Sequence, residues 1–147
     1  MTKEWLISLL IPPFRSSFNS KIGSETQLCI QFANWLREQS LTNDFPYIWM
    51  HVPNEFRAKT KMPLFGVMLS WMGKIIGAPD YIFMGMNDSF VIEFKVKKGK
   101  QTESQKNFQK WCEKVKVPYY LCFSSEEGQE AILKHWRPSL KNAMISK

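Results

Sequence analysis

Residues 81 to 96, YIFMGMNDSFVIEFKV, hold two aromatic and β-branched runs on either side of Asn87-Asp88. Such runs around a turn pair read as a β-hairpin. Both faces of the hairpin are largely apolar, so the strands need cover on each side and helices must pack against them. The rest of the chain supplies those helices. In GSETQLCIQFANWLREQ (23 to 39), Leu28, Cys29, Phe32, Trp35 and Leu36 recur at helical spacing, with Ser24 placed as the cap. YIWMHV (47 to 52) reads as a strand ended by Pro53-Asn54, and the basic FRAKTK leads to an apolar helix near residues 63 to 75. TESQKNFQKWCEKVK (102 to 116) carries Phe108, Trp111, Cys112 and Val115 on one helical stripe, YYLCFSS is a further strand, and EEGQEAILKHW is a closing helix. The order implies an α/β fold, a central mixed β-sheet flanked by helices. The apolar LFGVMLSWM (64 to 72) is expected in the core, with any surplus apolar face serving a homodimer.

Three charges interrupt this pattern: Asp80 just before the first hairpin strand, and Glu93 and Lys95 within the second. If Asn87 and Asp88 form a two-residue loop, Met86 faces Ser89, Ile82 faces Glu93 and Asp80 faces Lys95. Cross-strand partners share a face, so all three charges gather at one end of the hairpin, with diagonal neighbours ~7–8 Å apart. A register change of one residue would scatter them. One reading makes Asp80 a turn residue and Lys95 a structural salt-bridge partner. The other starts from the cost of burying a carboxylate that neither pairs nor binds metal. Two convergent carboxylates are hard oxygen ligands suited to Mg²⁺ or Mn²⁺, and an adjacent lysine can hold a water or offset charge on a phosphate oxygen.

Charge favours a polyanionic partner. Lys and Arg number 20 against 13 Asp and Glu, for a net charge of +7. Lys97, Lys98 and Lys100 continue from the proposed cluster, and Lys106, Lys110 and Lys114 repeat along one face of the following helix. With Arg57, Lys59 and Lys61 they are placed to track phosphates rather than to read bases. The three cysteines lack metal-ligand spacing and lie in apolar stretches, which points to a reducing, cytoplasmic setting. WLISLLI (5 to 11) is short for a signal-peptide core and runs into Pro12-Pro13, and no run approaches a membrane span. His51 and His135 have no metal-binding context, and the scattered glycines form no phosphate-cradling loop.

Pro79-Asp80 followed by Glu93-Phe94-Lys95 resembles the signature of the PD-(D/E)XK nucleases, which cleave phosphodiester bonds with Mg²⁺ or Mn²⁺. HVPNEF (51 to 56), GAPD (77 to 80) and IEFKVKKGKQTESQ (92 to 105) together resemble the VRR-NUC branch, over about residues 24 to 132. The resemblance implies a restriction-endonuclease-like core at 23 to 136, between an N-terminal arm (1 to 22) and a C-terminal tail (137 to 147). It implies that Asp80, Glu93, the backbone carbonyl of Phe94 and Glu25 hold the metal, and that Lys95 positions the attacking water. Gln105 matches the family's glutamine on the helix after the E-x-K strand, and Asn54-Glu55 its "NE" after the first strand. Residue chemistry also gives Gln105 the second place of a Thr102-x-x-Gln105 capping box, and Glu25 a favourable place on the helix dipole. The expected partner is DNA, in branched forms such as four-way junctions or flaps, cut by a homodimer without any membrane. A non-catalytic basic nucleic-acid-binding module is the rival expectation.

Overall fold

The structure, a computed structural model, describes residues 3–12, 22–53 and 63–138. Among these the elements run α1 (Glu4–Leu10), α2 (Ser24–Thr42), β1 (Ile48–His51), α3 (Pro63–Trp71), β2 (Tyr81–Met84), β3 (Ser89–Phe94), α4 (Glu103–Lys114), β4 (Tyr119–Cys122) and α5 (Ser125–Leu133). The chain is therefore mixed α/β. Contacts divide it into two compact units, Met1–Pro46 with Phe123–Lys147, and Tyr47–Cys122. Among the described residues no helix is long and apolar enough to cross a membrane.

In the first unit α2 packs on α5, and Phe32, Leu36, Ala131 and Ile132 are buried. The segment WLISLLI lies largely in α1, which contacts α2. Lys3 Nζ donates to the carbonyls of Ser40 and Asn43 at 3.3 and 3.2 Å, and Arg37 Nε donates to the Leu10 carbonyl at 2.8 Å. Ser24 does not cap α2. The extended cap position falls one residue earlier, on Gly23, whose carbonyl accepts from Gln27 N–H at 3.0 Å, so Ser24 is already helical. Ser124 caps α5 by accepting from Glu127 N–H at 3.1 Å.

The second unit holds a four-stranded mixed sheet in the order β1-β2-β3-β4. Its first three strands are antiparallel neighbours, while β3 and β4 run parallel and are joined through α4, as parallel strands require a crossover. The hairpin register differs from the two-residue-loop expectation. Ser89 pairs with Met84 rather than Met86, and the loop is Gly85–Asp88, closed by Gly85 N–H donating to the Asp88 carbonyl at 2.9 Å. The slip is two residues, an even number, so every side chain keeps its expected face. Tyr81, Phe83, Phe90, Ile92 and Phe94 share one face and are fully buried, with the Phe83 and Phe90 rings stacked at 4.7 Å. Asp80, Ile82, Val91, Glu93 and Lys95 belong to the other.

Tyr47, just ahead of β1, accounts for the wider loop. Its ring lies so near Gly85 that an added Cβ would sit 2.7 Å from it, and its hydroxyl donates to the Asp88 carboxylate at 2.9 and 3.1 Å. Burial, then the hydrogen bond to Asp88 and the charge of that carboxylate, push the Tyr47 hydroxyl up to about 12 from the ordinary 10.0. A folded-state value above the unfolded one gives stability that is fully present below pH 10 and lost as pH rises towards 12. Urea denaturation across a pH series should thus show a constant gap between wild type and Tyr47→Phe below pH 10, closing above it. A gap that does not change with pH would contradict this role.

The segment 64 to 72 is not core. Leu64, Trp71 and Met72 are 73%, 84% and 79% exposed. Because α3 is apolar around its whole circumference, turning Phe65 and Leu69 inward leaves its other sides in water. The α4 stripe is likewise only partly covered: Cys112 is buried and Phe108 half-buried, whereas Trp111 and Val115 are exposed. Cys29, Cys112 and Cys122 are all buried, and burial raises the Cys112 thiol above its usual range.

Candidate functional site

Asp80 is held from both neighbouring strands. Its carbonyl accepts from Val52 N–H, beyond the end of β1, at 2.8 Å, and its carboxylate Oδ2 accepts from Phe94 N–H of β3 at 2.7 Å. One step beyond Tyr81↔Ile92, the observed register sets Asp80 opposite Glu93 rather than opposite Lys95. The carboxylate therefore leans over the 93–94 peptide. This strand end is a place where a charge can be buried, since a main-chain donor meets it.

Glu93 is 1% exposed in the middle of the sheet. Its Oε1 pairs with Lys95 Nζ at 3.0 Å and accepts a hydrogen bond from Gln105 Nε2. Gln105 caps α4 and also contacts Glu93. Its Oε1 accepts from Thr102 N–H at 2.9 Å while Thr102 Oγ1 accepts from Gln105 N–H at 3.3 Å, a complete capping box at the start of α4. The same side chain's amide nitrogen then reaches Glu93, so the helix cap and the carboxylate share one residue. Gly77 lets these parts meet. With φ +88°, it brings the turn before Asp80 so near the α4 backbone that an added Cβ would fall 2.5 Å from the Ser104 carbonyl oxygen and 2.7 Å from Gln105 N.

Asp80, Glu93, Lys95 and Gln105 are thus gathered within the second unit, at one end of one sheet face, with Asp80, Glu93 and Lys95 all buried. Glu25 stands in the first turn of α2, in the first unit, and is half-buried. Lys97, Lys98 and Lys100 are exposed on and after the turn that follows β3, where Lys98 takes a left-handed φ of 71°. Lys106, Lys110 and Lys114 are exposed on α4, and Lys106 Nζ lies 3.8 Å from the Glu103 carboxylate. Asn54, Glu55, Arg57, Lys59 and Lys61 lie outside the described residues.

Tyr119 is a neighbour that sequence reasoning missed. In β4 it pairs with Val91, and Leu121 pairs with Glu93, so Tyr119 belongs to the face of the cluster. Its hydroxyl is raised well above the usual phenol range by burial first and by the Glu93 carboxylate next; a hydrogen bond from Gln101 Nε2 at 3.3 Å opposes the shift, and Asp80 adds to it. The phenol therefore stays protonated beside the acids. Only the parallel β3–β4 register reveals this, and no local pattern in YYLC encodes it.

The donor chemistry fits a hard divalent cation. A carboxylate offers about four lone-pair sites, so the bonds to Phe94 N–H, Lys95 and Gln105 leave Asp80 and Glu93 further accepting capacity. Mg²⁺ is commonly bound through one or two carboxylates and keeps several waters, which suits a pair of acids. Among the described residues no group of three or more His, Cys, Asp or Glu side chains is assembled for a metal. No protein-family model, curated protein or solved structure matches the chain.

Proposed function

We propose that the chain is a Mg²⁺- or Mn²⁺-dependent DNA endonuclease with a PD-(D/E)XK core of the VRR-NUC type. The observation that carries this reading is the convergence of Asp80, Glu93 and Lys95 at one end of one sheet face, buried where an apolar sheet has no structural need of them, with Gln105 reaching Glu93 from α4. Asp80, Glu93 and the Phe94 carbonyl would hold the metal. When bound, such a metal lowers the pKa of a water and stabilises charge on the phosphate. Lys95 orients the water and Gln105 holds Glu93 in place. The exposed lysines after β3 and along α4, with Arg57, Lys59 and Asn54, follow the DNA backbone. Branched substrates, a homodimer built on the outward apolar side of α3 and a cytoplasmic location in a bacterial or virus-infected cell complete the proposal.

The ion pair of Lys95 with Glu93 at 3.0 Å favours a second reading, in which the cluster is an internal salt bridge of a non-catalytic nucleic-acid-binding module. One experiment separates the two. Labelled four-way, flap and linear duplex DNA is incubated with the wild type, Asp80→Ala, Glu93→Gln and Gln105→Ala, in Mg²⁺, in Mn²⁺ and in EDTA. The nuclease reading expects cutting with metal only, lowered about 10²- to 10⁴-fold in Asp80→Ala and Glu93→Gln. Undiminished cutting by Asp80→Ala sinks it. Salt-sensitive binding without cutting in any metal supports the binding module instead.

A further inference from the structure

Beside the carboxylates the second unit contains an apolar cavity of about 580 Å³, with Phe65, Ile75, Ile82, Phe108 and Trp111 in its walls and Lys74 as the charged side chain among its lining residues. Its volume lies within the ~300–1,000 Å³ range of small-molecule sites. The cavity and the charged cluster have β2 with the turn before it and α4 in common, while Glu93 and Lys95 come from β3 and its end and Phe65 and Leu69 from α3. Ile82 follows Asp80 by two residues on one strand face, a rise of ~7 Å, and Phe108 follows Gln105 by one helical turn, ~5–6 Å between Cβ atoms. That offset equals about two steps of a stacked nucleic-acid strand at ~3.4 Å each. The Phe108 and Trp111 rings meet edge to face with centroids 5.6 Å apart, and Trp111 is 53% exposed, so aromatic surface is open to an incoming ring.

We infer that this cavity receives an unpaired nucleobase of a DNA strand whose phosphate lies at Asp80 and Glu93. The inference rests on the nuclease reading for the position of that phosphate. The walls offer stacking surface and few groups that could read a base edge, so the site takes any base that is already out of its stack. This gives the substrate preference a physical source: flaps, junction branch points and single strands present such bases, whereas a base inside a duplex must first be unstacked. Charge selects DNA over a second copy of the chain. Lys74 lines the cavity and Lys106 and Lys110 lie on the helix that carries Phe108 and Trp111, so a copy docked at this cavity would meet basic side chains with few acids to offset them, where phosphates are attracted.

The test is equilibrium binding of the chain, with Ca²⁺ in place of Mg²⁺ or Mn²⁺, to a single-stranded oligonucleotide carrying 2-aminopurine and to an abasic strand of equal length and charge. Wild type is expected to prefer the base-bearing strand and to quench its fluorescence. Trp111→Ala should weaken that strand's binding about 5- to 100-fold and abolish the quenching, leave the abasic strand unaffected, and be rescued by Trp111→Phe. Equal binding of both strands by the wild type overturns the inference. So does a Trp111→Ala variant that dissociates a dimer in sedimentation while binding strands normally, which would assign the cavity to a second copy. The readout needs no hydrolysis. A base preference without cutting in the metal panel defeats the nuclease reading and leaves the cavity's ligand standing, and cutting without a base preference does the reverse.

Discussion

Replacing Lys95 by alanine is expected to lower the free energy of unfolding by about 3–5 kcal/mol and to abolish the proposed metal-dependent cleavage, because Glu93 would be left buried without its cation. The pair is well enclosed, with side-chain exposures of 11% for Lys95 and 1% for Glu93, so solvent screening does little to soften the loss. A double variant, Glu93→Gln with Lys95→Met, separates stability from chemistry. Its glutamine still meets the Gln105 amide, and neither charge of the pair is buried. Stability should return to within about 1 kcal/mol of wild type, since replacing both partners of a buried pair is often neutral, while cleavage stays absent. Denaturant titration and the cleavage panel read the two effects independently. A Lys95→Ala protein within about 1 kcal/mol of wild type would show that the pair contributes no more than a surface contact.

The second large effect is expected at Gly77. Its positive φ of 88° is unfavourable for alanine, and the new methyl would run into main-chain atoms of Ser104 and Gln105, which cannot rotate aside as a side-chain tip could. Gly77→Ala should cost about 2–4 kcal/mol, combining left-handed strain with overpacking. Because the turn carries Asp80 and the obstructing backbone begins α4, relief of the clash must draw Asp80 away from Gln105. The proposed activity should fall with stability. Gly66→Ala, within α3, provides the contrast, since nothing lies within 4 Å of its added Cβ. There the better helix propensity of alanine predicts no loss, or a gain of about 0.5–1 kcal/mol. Equal urea midpoints for the two variants would refute the close approach at Gly77.

What could be read from the sequence was whatever the chain determines locally. The Thr102-x-x-Gln105 box opens α4, and the side-chain alternation of β2 and β3 assigns Asp80, Glu93 and Lys95 to one face. The loop length was not legible, because the groups that set it, Tyr47 against Gly85 and Asp88, are about 40 positions apart. That the cluster survived the error follows from parity, since a slip of one residue would have turned Glu93 to the opposite face. Hydrophobicity alone suggested that LFGVMLSWM and Trp111 were interior. It reports what a residue would gain by burial and not whether the fold supplies a partner, and both stand at a cavity and a surface instead. Tyr119 required the pairing of β4 with β3, which is a property of the assembled sheet.

The cost of burying Glu93 and Lys95 has a counterpart earlier in the life of the chain. Without them, the β3 segment would read as an uninterrupted stretch of aromatic and β-branched residues, the composition that stacks into intermolecular sheets when exposed. Two charges of opposite sign at alternate positions interrupt that stretch while the chain is still unfolded, because stacking it against a copy would bury them before their intended partners arrive. A cluster that burdens the finished sheet thus acts as a gatekeeper of its assembly, and variants that neutralise it for stability should be watched for aggregation during refolding.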